Sequence, residues 1–256
     1  MNTPEQPKII ISEDDAREIE RAYDSALETL KGLSGKTEIE AVNEGIANLI
    51  IFLIEKLYTK GGSLLLYTSK IFDKDYIFAH SLNVCLISLR IGMKLEFDKN
   101  RLKDLGFLAL THSSKDMGFP EGLSEKIKQD KELDEIIRLA DVYDGQSHPP
   151  AYRHGIIPHE TIMSILNTGN LFDSRLVKIL LEELSLYPKG SWVQLCTGQI
   201  GKVIVINKDL PLRPTVKILI ERRGEIEEKI IDLSKNNLVY VLRPVAEKKI
   251  KDIKES

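Results

Sequence analysis

The chain has 256 residues, of which 42% are hydrophobic and 29% are charged, as in an ordinary folded globular protein of one large domain or two modest ones. Its formal net charge of −3 gives no general attraction to nucleic acid or anionic lipid, so neither is an expected partner. The N-terminal sequence lacks a basic segment followed by an apolar core, and the longest apolar stretch is too short to span a bilayer, so we expect a cytoplasmic protein without membrane insertion.

The spacing of apolar residues predicts helices over most of the first part of the chain. Ser12 is a candidate N-cap, because acidic residues follow it and favour the positive end of a helix. Gly32 and Gly35 then end the first helix. Apolar residues at spacings of three and four predict helices at 13–30, 38–58, 76–95, 101–111, 124–143, 159–167 and 174–184, with a further segment at 63–72.

The pattern changes at Pro188-Lys189-Gly190. Short β-branched runs separated by turn residues predict strands at 192–195, 200–206, 215–220 and 226–232, with one more at 239–242. The predicted fold class is therefore mainly α, with a helical bundle followed by a small antiparallel β domain. The expected organisation is an N-terminal helical region at 1–72, a helical core at 73–187, a β appendage at 188–244 and a charged tail at 245–256.

Three separated stretches combine histidines and carboxylates, which are residue types that bind divalent metals. They are Tyr76-Ile-Phe-Ala-His80-Ser81, the segment from Leu110-Thr-His112-Ser113 to Gly118-Phe-Pro120, and Ala140-Asp141-Val-Tyr-Asp144. In the same order they resemble the motifs of the HD-GYP branch of the HD superfamily of metal-dependent phosphohydrolases. That branch has a Tyr-x-x-x-His-Ser helix, a Leu-His-Asp-Ile-Gly-Lys-x-Gly-x-Pro segment and an Ala-Asp-x-Tyr-Asp-Ala segment.

The β region adds to this resemblance. Residues 190–204 and 211–217 are similar to the β extension that is common after HD-GYP domains, so the likeness covers about residues 70–220. The resemblance implies an HD-like helical bundle, divalent metal, cyclic di-GMP phosphodiesterase activity and a place in bacterial signalling.

The chain departs from the family at the residue that bridges two metals. In the family this residue is the aspartate of the His-Asp pair, whereas here Ser113 follows His112, and a hydroxyl has no charge to offset the repulsion between two cations. Lys115 and Asp116 occupy the places of a glycine and a lysine. Only 27 residues separate Ser113 from Asp141, where the family has a long helical stretch with further metal-binding histidines and the Gly-Tyr-Pro signature.

The ligands that the resemblance implies are His80, His112 and Asp141, which would hold at most one divalent ion; no catalytic residue is assigned. Three protein ligands and a water suffice for a mononuclear site, although this set has a charge of only −1. Two other interpretations stay open, namely His80 as a hydrogen-bonded, half-buried histidine and Asp141 in a salt bridge with Arg138 or Arg153.

Other polar residues near these motifs have structural interpretations. We expect Asp144 and Tyr143 to organise the turn that follows them. His148, His154 and His159 have no ligand spacing and are expected at the surface.

Three function hypotheses follow. A recognisable scaffold that lacks its bridging carboxylate favours a catalytically impaired signalling or protein-interaction module with an unidentified protein partner. The alternative is a metal-dependent phosphodiesterase of the cyclic di-GMP type with a reduced, single-metal site. Binding of a cyclic dinucleotide without cleavage is the third, disfavoured because the missing segment would form much of that pocket.

Overall fold

The computed structural model describes residues 13–60, 64–65, 68, 75–123, 130–147, 161, 164–165, 171–183, 190, 192–207, 210, 213–222, 225–236 and 238–245. Within these ranges the helices are α1 (Glu13–Lys31), α2 (Ile39–Lys60), α3 (Tyr76–Lys94), α4 (Lys99–Thr111), α5 (Lys131–Ser147) and α6 (Ser174–Glu183). The strands are β1 (Trp192–Leu195), β2 (Ile200–Val205), β3 (Thr215–Arg222), β4 (Glu225–Asp232) and β5 (Val241–Val245). The predicted fold class, helices followed by a small antiparallel sheet, is confirmed.

Several predicted features lie wholly or mostly outside the described residues. They are the cap at Ser12, the segments at 63–72 and 159–167, the domain boundaries at 72/73 and 187/188, and the charged tail. The first residues of the helix predicted at 124–143 also lie outside, and α5 starts at Lys131, because the Asp130 side chain caps it by accepting from the backbone N–H groups of Glu132 and Leu133. Where elements are described, their ends shift by a few residues. The α4 helix starts at Lys99 rather than at residue 101, because the Asp98 side chain caps it by accepting hydrogen bonds from the backbone N–H groups of Asn100 and Arg101.

Residues 13–184 form one compact unit in which α3 is the central helix. Almost every residue of α3 from Ala79 to Gly92 is buried, because α1, α2, α4, α5 and α6 all pack against it. Two glycines let helices approach closely here. A methyl group on Gly92 would meet the Leu105 side chain at 2.8 Å, and one on Gly106 would meet Ile50 at 2.9 Å. The close packing of α3 against α4 brings together the start of α3, which carries His80, and the end of α4, which carries His112.

The helix α3 is long and apolar enough to cross a membrane, by its length and its mean hydropathy of 1.3 alone. From the sequence, we expected no stretch of this kind. However, 72% of that apolar stretch is buried against other parts of the compact unit. The core helix of a folded domain has these properties as well.

Residues from 185 onward form a second compact unit. Its five strands are antiparallel in the order β4-β3-β2-β1-β5. Alternate side chains of β1, β2 and β3 point into a small apolar core formed by Val193, Leu195, Val203, Val216 and Ile218. The strand β5 begins later than predicted, at Val241, because its pairing with β1 runs from Leu195↔Val241 to Trp192↔Val245.

Gly201 of β2 lies where no side chain fits. A methyl group there would lie 2.7 Å from Cγ2 of Ile218 and 3.1 Å from the backbone oxygen of Lys217. We therefore expect Gly201→Ala to lower the free energy of unfolding by about 1–3 kcal/mol. Trp192, the single tryptophan, lies in β1, so the denaturant-induced change in its fluorescence measures this directly. Gly145→Ala is the control for added bulk, since nothing lies within 4 Å of a methyl group there and alanine favours a helix, so it should not lower the free energy of unfolding. An unchanged transition in Gly201→Ala would contradict the packing argument.

Candidate metal centre

Two helices that pack together each carry a pair of polar residues at spacing three. On α3 these are His80 and Asn83, and on α5 they are Asp141 and Asp144. Residues three apart lie on the same face of a helix, so contact between α3 and α5 brings the two pairs together. The third element is α4, whose C-terminal cap is His112.

Three side chains converge on one point. Nε2 of His80 lies 3.0 Å from Oδ1 of Asp141 and 3.3 Å from Nε2 of His112, and the remaining side of this triangle, His112 Nε2 to Asp141 Oδ1, is 3.8 Å. Ligand atoms about 2.1 Å from one cation lie about 3.0–3.4 Å apart in octahedral or tetrahedral geometry. Two sides of the triangle fall within this range, and the third, at 3.8 Å, is longer, so a small inward shift of His112 or Asp141 would give the geometry of a single divalent ion.

The ring of His80 is held from behind by a buried carboxylate. Its Nδ1 donates to Oδ2 of Asp144 over 2.8 Å, and the Asp144 side chain is 0% exposed. Tyr76, one helical turn earlier, stacks on the same ring with a centroid distance of 5.7 Å and an interplanar angle of 9°. A histidine that donates its inner N–H to a carboxylate presents the lone pair of its outer nitrogen to a metal, once that nitrogen is deprotonated.

The ring of His112 is oriented by the backbone. Its Nδ1 lies 2.7 Å from the carbonyl oxygen of Ala109, which can only accept, so the proton of the neutral ring is on Nδ1. The lone pair of Nε2 then faces His80 and Asp141. Both histidines thus have their ligand nitrogens aimed at the same point before any ion binds.

Charges in the cluster shift the pKa values in opposite directions. Burial lowers the pKa of His80, but hydrogen bonds to Asp141 and Asp144 outweigh burial and raise this pKa to about 9. Burial lowers the pKa of His112, and the charge on His80 acts in the same direction. The hydrogen bond from His80 lowers the pKa of Asp141. At neutral pH and without metal, a cationic His80 therefore lies between two carboxylates, beside a neutral His112.

The site is open on one side. The Asp141 side chain is 46% exposed and that of His112 is 17% exposed, whereas Asp144 lies behind His80. Ser113 follows His112 in the turn after α4 and is half-buried. Water or a substrate oxygen can thus reach the ligand atoms from the side of Asp141.

The structure brings together all three residues that the sequence singled out, namely His80, His112 and Asp141. Asp141 contacts His80, whereas Arg138 donates to the carbonyl of Leu171, so the salt bridge with Arg138 that we considered is not formed. The alternative partner Arg153 and the histidines at 148, 154 and 159 lie outside the described residues.

The sequence interpretation missed the role of Asp144. We expected it to organise a turn, but it is buried within α5 and accepts hydrogen bonds from His80 and from Asn83, whose Nδ2 lies 3.0 Å from Asp144 Oδ1. Its position three residues after Asp141, on the same helical face, is the sequence signal that indicates this role.

Comparisons with known proteins give one family match and two curated relatives. Residues 192–253 match the family described as "KOW domain associated with HD domain". The chain is 27% identical to a cyclic di-GMP phosphodiesterase of Pseudomonas aeruginosa over 120 residues, which are 46% of this chain and 28% of that protein. It is 25% identical to the cyclic di-GMP phosphodiesterase PdeB of Borreliella burgdorferi over 143 residues, 54% of this chain and 37% of that relative. No solved structure matches significantly.

These matches support a relationship of the chain to the HD superfamily, as its three motifs predict. The chain spans only about a third of the length of these curated relatives. The names of both relatives agree with the phosphodiesterase alternative better than with the interaction-module hypothesis, and they do not test whether activity is impaired.

The pKa values predict how metal affinity depends on pH. An ion requires the neutral form of His80, so binding must release the proton that the free protein holds below pH 9. We expect the apparent affinity for Zn²⁺ to rise up to about tenfold per pH unit between pH 6.5 and 8.5, and to level off above pH 9. Competition with a chelator whose own pH dependence is known measures this. An affinity that stays constant over this range would contradict the charge assignment of His80.

Proposed function

We propose that this protein is a metal-dependent phosphohydrolase that uses a single divalent ion and acts on phosphodiesters, with cyclic di-GMP as the first substrate to test. The observation that carries this proposal is the triangle of His80, His112 and Asp141 ligand atoms, with both histidine rings oriented by hydrogen bonds from behind. The similarity to two cyclic di-GMP phosphodiesterases supports the choice of substrate class.

The residues fit a divalent cation. Two imidazole nitrogens and one carboxylate oxygen are a common ligand set for Zn²⁺, Fe²⁺ or Mn²⁺ that leaves positions open for water and substrate. When bound, such an ion supplies Lewis acidity towards a phosphoryl oxygen and a water molecule. The exposed side of Asp141 is where a phosphodiester could enter, while Asp144 lies buried behind His80 and Tyr76 stacks on its ring.

A second ion is disfavoured by the position of the carboxylates. Within the described part of the chain, the metal-binding group consists of His80, His112 and Asp141. Asp144 cannot bridge two ions from where it lies, because it is buried behind His80 and its two oxygens accept from His80 and Asn83. The residue at the bridging position of the family is Ser113, which has no charge to place between two cations.

The chain's own residues have two tasks in such a reaction. Asp144 keeps the His80 ring in place, and the Ala109 carbonyl does the same for His112, so little reorganisation is needed when an ion binds. Asp141 contributes the negative charge that offsets the cation. The proposal assigns no general acid from the described residues.

The direct test is turnover of cyclic di-GMP and of bis(p-nitrophenyl) phosphate by the purified protein loaded with Zn²⁺, Fe²⁺ or Mn²⁺. We expect turnover with one equivalent of metal, and His112→Ala to reduce it at least about 100-fold because a ligand is lost. Asp116→Asn is the matched control, since Asp116 is an exposed carboxylate in the turn after His112 and should leave turnover unchanged.

A folded protein that binds no stoichiometric metal and turns over neither substrate would return the interaction-module hypothesis to first place. Equal turnover by wild type and His112→Ala would show that the activity does not come from this site.

The substitution Ser113→Asp tests why only one ion is proposed. It restores a carboxylate next to His112, where it could be shared by two cations. We expect the metal content measured by elemental analysis to rise from one towards two ions per chain. The matched control is Ser114→Asp, which adds the same charge one residue further along the turn and should leave the content at one. Two ions in the wild-type protein would show that another residue already fills the bridging role.

A further inference from the structure

A buried chain of hydrogen bonds leads from α1, which carries none of the three ligands, to the metal centre. The hydroxyl of Tyr23 donates to Oδ1 of Asn83 over 2.7 Å, and Nδ2 of Asn83 donates to Oδ1 of Asp144 over 3.0 Å. The other oxygen of Asp144 accepts from His80. Tyr23 is 1% exposed and Asn83 is 2% exposed, so water does not substitute for these contacts.

The direction of this chain is set at its inner end, because the carboxylate of Asp144 and the carbonyl of Thr68 can only accept hydrogen bonds. Burial raises the pKa of Tyr23, so its hydroxyl stays protonated and donates. The amide of Asn83 then accepts on Oδ1 and uses its NH₂ group for Asp144 and for the backbone carbonyl of Thr68, 3.1 Å away. Asp144 and the Thr68 carbonyl thus fix which end of the amide faces them, and the Tyr23 hydroxyl holds the other end by donating to Oδ1.

We propose that Tyr23 is a positioning residue of the metal centre, which sets metal affinity by holding Asn83, and through it Asp144 and the ring of His80, in ligand geometry. This inference rests on the proposed function, because it concerns the same metal site. It also means that the packing of α1 against α3 and the affinity for metal are coupled.

Removal of the Tyr23 hydroxyl would leave Oδ1 of Asn83 buried without that donor. A rotated amide would place its oxygen against Asp144 and the Thr68 carbonyl, so the amide instead keeps its orientation with one hydrogen bond fewer and is held less firmly. Asp144 would then shift, and the nitrogen of His80 that faces the metal would shift with it. A displacement of this kind weakens the binding of an ion that requires three ligand atoms at fixed distances.

The hydroxyl is not what holds α1 in place. The helix packs through buried apolar side chains, among them Ile19, Ala26 and Leu30. Ion pairs add to this, from Glu18 to Lys60 over 2.7 Å and from Lys31 to Asp75 over 3.0 Å. Tyr23→Phe keeps the aromatic ring and all of these contacts, so a change in metal affinity would come from the hydrogen-bond chain.

The experiment measures the dissociation constant for Zn²⁺ by chelator competition in the full chain. We expect Tyr23→Phe to weaken Zn²⁺ binding about 3- to 10-fold, and Asp144→Asn, which alters the direct partner of His80, about 10- to 100-fold. The double variant should bind like Asp144→Asn alone, because the hydroxyl acts only through that carboxylate. Tyr143→Phe is the matched control. It removes a buried hydroxyl that bonds Ser147 and should change the constant less than twofold.

Two further measurements separate positioning from general stability. The visible spectrum of the Co²⁺-loaded protein should shift in Tyr23→Phe and not in Tyr143→Phe, because the spectrum reports ligand geometry. If Asp144→Asn does not fold, Asn83→Ala takes its place in the double variant. Adding Tyr23→Phe to Asn83→Ala should then leave the dissociation constant for Zn²⁺ unchanged.

The possible failures are distinguishable. If the wild type and Tyr23→Phe bind Zn²⁺ with the same dissociation constant, the role of Tyr23 is wrong and the proposed function still stands. An effect of Tyr23→Phe that adds fully to that of Asp144→Asn would overturn the hydrogen-bond path. Wild-type protein that binds no Zn²⁺ would overturn this inference and the proposed function together.

Discussion

Asp144 is a carboxylate without access to solvent, and a charge in that position has to be balanced within the protein. The balance comes from the ring of His80 and the amide of Asn83, both on α3, and these contacts tie α5 to the central helix. The same contacts decide which nitrogen of His80 faces outward. One buried interaction thus stabilises the packing of two helices and orients a candidate metal ligand.

The position of Asp144 also limits what the site can do. A carboxylate behind a histidine orients that ligand, whereas a carboxylate in front of it could join two cations. The structure has the first arrangement, and the residue after His112, where the resemblance places the bridging aspartate, is Ser113. The cluster therefore resembles the metal site of the HD superfamily in its ligands while its charge suits one ion. Impairment does not follow from this, since mononuclear sites with three protein ligands are chemically competent.

Much of the fold could be predicted from the sequence, because apolar periodicity and turn residues are local signals. The β1 strand has the predicted limits, and α3 ends one residue earlier than predicted. The three candidate ligands could be named because their motifs are short and lie in the same order as in the family that the chain resembles. Tyr23 could not be predicted, since it lies 60 residues from Asn83 and only the packing of α1 on α3 brings them together. Asp144 was misjudged because its helix continues beyond the predicted end near residue 143, to Ser147, so that a residue expected in a turn lies on a buried face.

The central claim is that one divalent ion binds between His80, His112 and Asp141 while Asp144 stays behind His80. Anomalous diffraction from crystals of the protein loaded with Mn²⁺ or Zn²⁺ tests it most directly. The account predicts one anomalous peak per chain, at about 2.0–2.2 Å from Nε2 of each histidine and from a carboxylate oxygen of Asp141. Two peaks a few ångströms apart, or a single peak with Asp144 as a direct ligand, would contradict it.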